Sequence, residues 1–228
     1  MEFMKSNTAL FAIILISSAI AVVAPFDVAF AAVTFGSPSL RVGLIVAIAL
    51  IGAYFSRRLG LRLEGHGARS PGLIGIMMAV VLAAYVVALD CYLFRHLLSA
   101  EHTKVLETSL PTRMTYFMLR AFNENVIYRL FVFSGLLYLI LLARGPKRMT
   151  PSLIVAAMVV SQLVNIGINV FAISSEPISF LSLTYDLLRY VVPGVFKACL
   201  FWRFGFLTTE VASVGCHIFL QPALGILL

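Results

Sequence analysis

Charge is scarce in this chain. Of its 228 residues only 12% are Asp, Glu, Lys or Arg, while 61% are hydrophobic and the mean hydropathy is +1.01. A soluble domain carries about a quarter charged residues and roughly 45–50% apolar ones, so an ordinary soluble fold and a disordered chain are both excluded. Cysteine is scarcer still: Cys91, Cys199 and Cys216 all lie in apolar runs and form neither a disulfide framework nor a Cys-x-x-Cys metal pair. Acidic residues number 10 against 17 Lys and Arg, a net charge of +7. The bases are scattered between apolar runs instead of gathered into a patch, so they read as membrane-topology charges and no nucleic-acid partner is expected. No internal repeat or long linker divides the chain, and transporters commonly show an inverted repeat. The class that remains is an all-α, polytopic transmembrane bundle in contact with membrane lipids.

About 20 apolar residues cross a bilayer core as helix. Seven stretches qualify, at about 8–33, 40–55, 71–94, 115–143, 152–173, 178–201 and 207–228. The first begins like a secretory signal, with Lys5, an apolar run and a small-residue site at Ala29-Phe30-Ala31. It is read as a retained membrane helix kinked at Pro25, with Asp27 near an interface. Residues 100–113 read as a short surface helix entered through Ser99 and ended at Pro111. Arg57, Arg58, Arg62 and Arg69 face one acid, Glu64, in the second loop; Arg144, Lys147 and Arg148 follow in the fourth and Arg203 in the sixth. The positive-inside rule then places the N-terminus inside, although residues 95–113, expected outside, also carry three bases.

Ionisable groups at mid-membrane cost roughly 2.5–3.5 kcal/mol each on insertion scales and persist when paired or functional. Here they are Asp90, Arg120, Glu124, Arg129, Asp186, Arg189, Lys197, Glu210 and His217. Arg120 and Glu124 stand i,i+4 and can pair, as can Asn125 and Arg129; Glu124 and Arg129, five apart, point to different sides. Asn165 and Asn169 lie one turn apart with Gln162 nearby, an arrangement that also serves as interhelical glue. His217 and Gln221 share a face of the last span. Glu124, Asn165 and His217 all fall about 12–17 Å from the outer surface. One layer would then hold a carboxylate, an imidazole and several amides, the minimum needed to activate a water and hold an oxyanion.

These residues resemble the CPBP family, the CAAX-processing and bacteriocin-processing (Abi) intramembrane endopeptidases. Glu124-Asn125-Val126-Ile127-Tyr128-Arg129 is similar to the family's Glu-Glu-x-x-x-Arg motif, and His217-Ile218-Phe219-Leu220-Gln221 to its His-x-x-x-Asn/Asp motif. The likeness covers residues 115–228, a CPBP-like core; residues 1–114 show nothing family-specific. It implies Glu124 as the base that activates water, His217 as an assisting imidazole and Gln221 as the oxyanion donor. It requires no cofactor, and one His with one Glu falls short of the three protein ligands of catalytic zinc. The chain departs from the pattern at three places. Asn125 replaces the second Glu, which leaves Arg129 to find an acid at Asp186, Glu210 or Asp90. Asn165 or Asn169 stands where the family has its first His. Gln221 adds a methylene to the expected Asn. Two functions follow. One is a glutamate-dependent intramembrane endopeptidase. The other is a catalytically inactive subunit of a larger membrane complex, holding a membrane-embedded peptide or partner helix. The resemblance implies a bacterial or archaeal cell membrane as the location.

Overall fold

A computed structural model describes residues 2–23, 37–64, 71–98, 106–145, 150–168 and 179–228. Pro25, Asp27 and Asn169 lie outside the described residues, as do residues 99–105 of the expected surface helix. Among the described residues there is no strand, and seven helical units fit a bundle. These are α1 (Glu2–Val23), α2 (Pro38–Arg58), α3 (Pro71–Val87, prolonged by Ala88–Leu93), α4 (Leu110–Arg144), α5 (Pro151–Ile166), α6 (Phe180–Asp186, Leu187–Val191 and Val192–Phe204) and α7 (Phe206–Leu227). Four are long and apolar enough to cross a membrane: Pro38–Arg58, Gly72–Leu93, Leu110–Arg144 and Phe206–Leu227. Phe11–Val22 and Pro151–Ile166 are apolar but shorter.

Three helices start alike. Ser37, Ser109 and Thr150 cap α2, α4 and α5 by accepting the N–H of the residue three positions on, and each is followed within two residues by proline. Proline suits the first turn because its missing N–H would find no intrahelical acceptor there. This corrects the reading of Pro111 as a helix stop: it stands in the first turn of α4, which therefore begins five residues earlier than expected.

Close packing rests on small residues, as expected where lipid removes the hydrophobic drive between helices. On α3, Gly75, Ala79 and Ala83 form a stripe against α7; a Cβ on Gly75 would lie 2.7 Å from Val211, and one on Gly215 3.3 Å from Ala79. On α2, Ile45, Ala49, Gly52 and Ser56 form the buried face. There Gly52 brings α2 onto the α4 backbone at Leu130, and Ser56 donates to Ser134 at 3.1 Å. The outer surface is aliphatic, with Ile13, Ile76, Met77, Leu139 and Leu142 all exposed.

The two ends of the bundle are distinct. At one, Gly205 (φ +91°) separates α6 from α7, and Phe206 and Leu207 donate their N–H groups to the carbonyls of Arg62 and Leu63. The α2–α3 segment thus caps α7. At the other end, Arg113 donates to the carbonyls of Gln221 and Leu106, and Arg95 to that of Leu228. Cations here complement the negative end of the α7 dipole. The segments after α2 and α6 share one end, and the segment after α3 shares the other with the end of α7, as alternating antiparallel helices require.

Candidate functional site

Among the described residues, Ala88–Leu93 of α3, Asn125–Phe133 of α4 and Leu187–Val191 of α6 depart from α-helical hydrogen bonding into the wider π form. Such stretches are rare and cluster at functional sites. Each carries intramembrane-type polar residues, respectively Asp90, Asn125 with Arg129, and Arg189.

In α4 the change of register decides the contacts. A wider turn brings residues five apart onto one side, so Arg129 Nη1 donates to the Glu124 carbonyl at 3.2 Å. The contact is to the backbone, and the two side chains form no hydrogen bond with each other. The expected Asn125–Arg129 contact is replaced. Asn125 Nδ2 instead reaches across to Glu210 Oε2 on α7, at 3.1 Å. Arg129 is buried and finds no acid; its Nη2 donates to Gln162 Oε1 at 3.0 Å. Of Asp90, Glu210 and Asp186, the acids expected to neutralise it, none forms an ion pair with it among the described residues, although Glu210 lies within electrostatic reach.

Gln162 is the hub toward α5. Its Oε1 also accepts from Asn165 Nδ2 at 3.5 Å, and its side chain lies over Gly194 of α6, where a Cβ would occupy the same space. The sequence α5 amide, Gln162, Arg129 and α4 backbone is thereby continuous. Asn165 joins the layer as expected.

The expected pair of Arg120 and Glu124 forms, with Nε 3.0 Å from Oε1 and side chains 28% and 18% exposed. His217 faces α4 through a different residue: its ring stacks on Phe117, centroids 5.5 Å apart and planes 16° from parallel. Gln221 Nε2 lies 3.4 Å from His217 Nδ1. That amide donates only to an unprotonated Nδ1, which puts the ring proton on Nε2. Glu124 and His217 therefore occupy the same part of the bundle, but each bonds to a neighbour on its own helix and not to the other. Gln221 directs its amide to the imidazole, leaving its own buried Oε1 without a partner.

Three features were not read as part of the site. Asp90, fully buried, accepts from Arg189 Nε at 2.9 and 3.1 Å and from the Tyr185 hydroxyl at 3.0 Å, tying α3 to α6 through their two π stretches. Tyr85 reinforces the tie by donating to the Leu188 carbonyl at 2.9 Å. Glu210 faces Asn125 with one oxygen and leaves the other, buried, without a partner. Lys197 of α6 lies within electrostatic reach of Glu124, Arg129, Cys216 and Arg189, yet bonds to none of them. Each meets its neighbours from far away in sequence, so no spacing marks it.

A water-activating centre needs an unencumbered carboxylate next to a proton-sharing imidazole. Here the carboxylate is neutralised by a guanidinium and the imidazole is held by an amide. Among the described residues no group of three His, Cys, Asp or Glu side chains converges as a metal site would require. Compared with known proteins, the chain matches no family model, no curated protein and no solved structure.

Proposed function

We propose that this chain is a CPBP-like multi-pass membrane protein that has kept the polar layer of an intramembrane protease as a binding site. It serves as a catalytically inactive subunit of a membrane complex, holding a membrane-embedded peptide segment or a partner helix. The observation that carries this reading is the ion pair: the Glu124 carboxylate is engaged by Arg120 at 3.0 Å and does not bond to His217. In the same reading all seven helical units cross the membrane, the N-terminus is cytoplasmic and the membrane is a bacterial or archaeal cell membrane. Reporter fusions after Glu64 and after Arg144 should then both report the cytoplasm.

The second reading keeps Glu124 as the base of an endopeptidase. Its support is that the Glu124 carboxylate is only partly covered, with 18% of its side chain exposed beside Arg120. A photoreactive aromatic at position 117 separates the two. The binding reading expects an adduct with a membrane polypeptide that forms equally well with Glu124→Gln. Cleavage of that polypeptide, lost with Glu124→Gln, would establish the protease instead.

A further inference from the structure

The charges of the polar layer do not balance. Arg120, Arg129 and Lys197 bring three positive charges, and Glu124 and Glu210 at most two negative ones. Arg120 is matched to Glu124. Arg129 is sealed in by Gln162 and the Glu124 carbonyl. Glu210 is turned to Asn125. Lys197 is left over: among the described residues its ammonium has no hydrogen-bond or ion-pair partner, although it is only half-buried. A cation at this depth is costly unless it is paired.

The space around it has a direction. Glu124, Arg120 and Tyr190 are partly exposed at mid-length of their helices, Tyr190 at 40%, so the uncovered side of the layer is on the flank of the bundle and not at either end. A flank at that height faces acyl chains. Phe117, three residues before Arg120 on α4, stacks on the ring of His217.

Resting on the reading of this layer as a binding site, we propose that Lys197 binds the oxyanion headgroup of an amphiphile entering from the bilayer through the flank beside Arg120 and Tyr190. The shared chemistry is a carboxylate or phosphate that completes the charge balance, with an apolar tail left among the exposed aliphatic residues outside.

The test uses the full chain purified in an uncharged detergent, with thermal unfolding and direct binding as readouts. The probes are palmitate, hexadecanol, a dioleoyl phosphatidate and inorganic phosphate. Palmitate or phosphatidate, or both, should raise the unfolding temperature, since a ligand bound only by the folded state stabilises it; hexadecanol should not. Which of the two binds more tightly identifies the natural headgroup as carboxylate or phosphate. Lys197→Met should weaken binding by about tenfold or more, and Lys197→Arg should retain most of it. Lys197→Met should also leave the ligand-free protein at least as stable as wild type, because it removes an unpaired, half-buried cation, so a folding defect is not the expected cause of lost binding. The proposal is overturned if hexadecanol stabilises as well as palmitate, if Lys197→Met binds the anions like wild type, or if no anion binds. Inorganic phosphate binding as tightly as the amphiphiles would assign the site to a soluble anion and also overturn it. In each of these cases a persisting adduct at position 117 keeps the binding reading of the layer alive, and its loss removes both.

Discussion

Replacing Asp90 with alanine strands Arg189. The carboxylate is completely buried and receives the guanidinium Nε at 2.9 and 3.1 Å with the Tyr185 hydroxyl at 3.0 Å, while 18% of the Arg189 side chain remains exposed. Two unit charges about 4 Å apart attract by about 4 kcal/mol at an effective dielectric constant near 20. Breaking a buried pair by removing one partner typically costs about 3–5 kcal/mol. The partial exposure of Arg189 lets water or headgroups solvate what is left, so Asp90→Ala should cost about 3 kcal/mol. Arg189→Leu leaves an entirely buried carboxylate with one hydroxyl donor and should cost about 4 kcal/mol. The double variant has no charge to desolvate and should cost clearly less than the sum, giving a coupling energy of about 2 kcal/mol or more. Reversible unfolding in mixed micelles measures all four corners of the cycle. Additive losses, with coupling below about 0.5 kcal/mol, would show that the α3–α6 tie is not held by this pair.

Two further outcomes probe the rest of the layer and its frame. A methyl group at Gly52 would sit 2.6 Å from the Leu130 carbonyl oxygen, a backbone atom that cannot turn away, whereas nothing lies within 4 Å of one at Gly43. Gly52→Ala should therefore lower stability by about 2 kcal/mol or more through overpacking, and Gly43→Ala on the same helix should leave it unchanged or raise it by up to about 1 kcal/mol. Equal behaviour of the two in the same unfolding assay would contradict the close α2–α4 approach. Asn125→Glu supplies the second acid of the Glu-Glu-x-x-x-Arg pattern that residues 124–129 resemble but sets it beside Glu210, at the 3.1 Å contact now made by the amide. It should lower the unfolding temperature, with recovery on adding Glu210→Gln; no recovery would mean that the two side chains do not meet.

Much of the frame is visible in the amino-acid order because run length alone decides it. The stretches 71–94 and 207–228 agree with α3 and α7 to within a residue or so at their ends. Pro111 misleads because proline both ends helices and opens them; only the Ser109 hydroxyl, accepting from Thr112, distinguishes the cases. The Arg120–Glu124 and His217–Gln221 pairs are legible because each lies one α-helical turn apart. The partners of Asn125 and Arg129 are not, since a π stretch shifts the facing residue by one position and leaves no mark in side-chain composition. Asp90 and Arg189 are separated by 99 positions, and each on its own reads only as a charge in need of a partner.

The proposed inertness of the Glu124 carboxylate toward peptides, held as it is by Arg120, is central to the binding role. It is tested most directly by mapping new polypeptide termini in membranes from cells producing the wild-type protein or Glu124→Gln at equal levels. The amide still accepts a hydrogen bond from Arg120 but cannot act as a base. Identical sets of termini are expected. A set of cleavage products present with wild type and missing with Glu124→Gln would contradict the account.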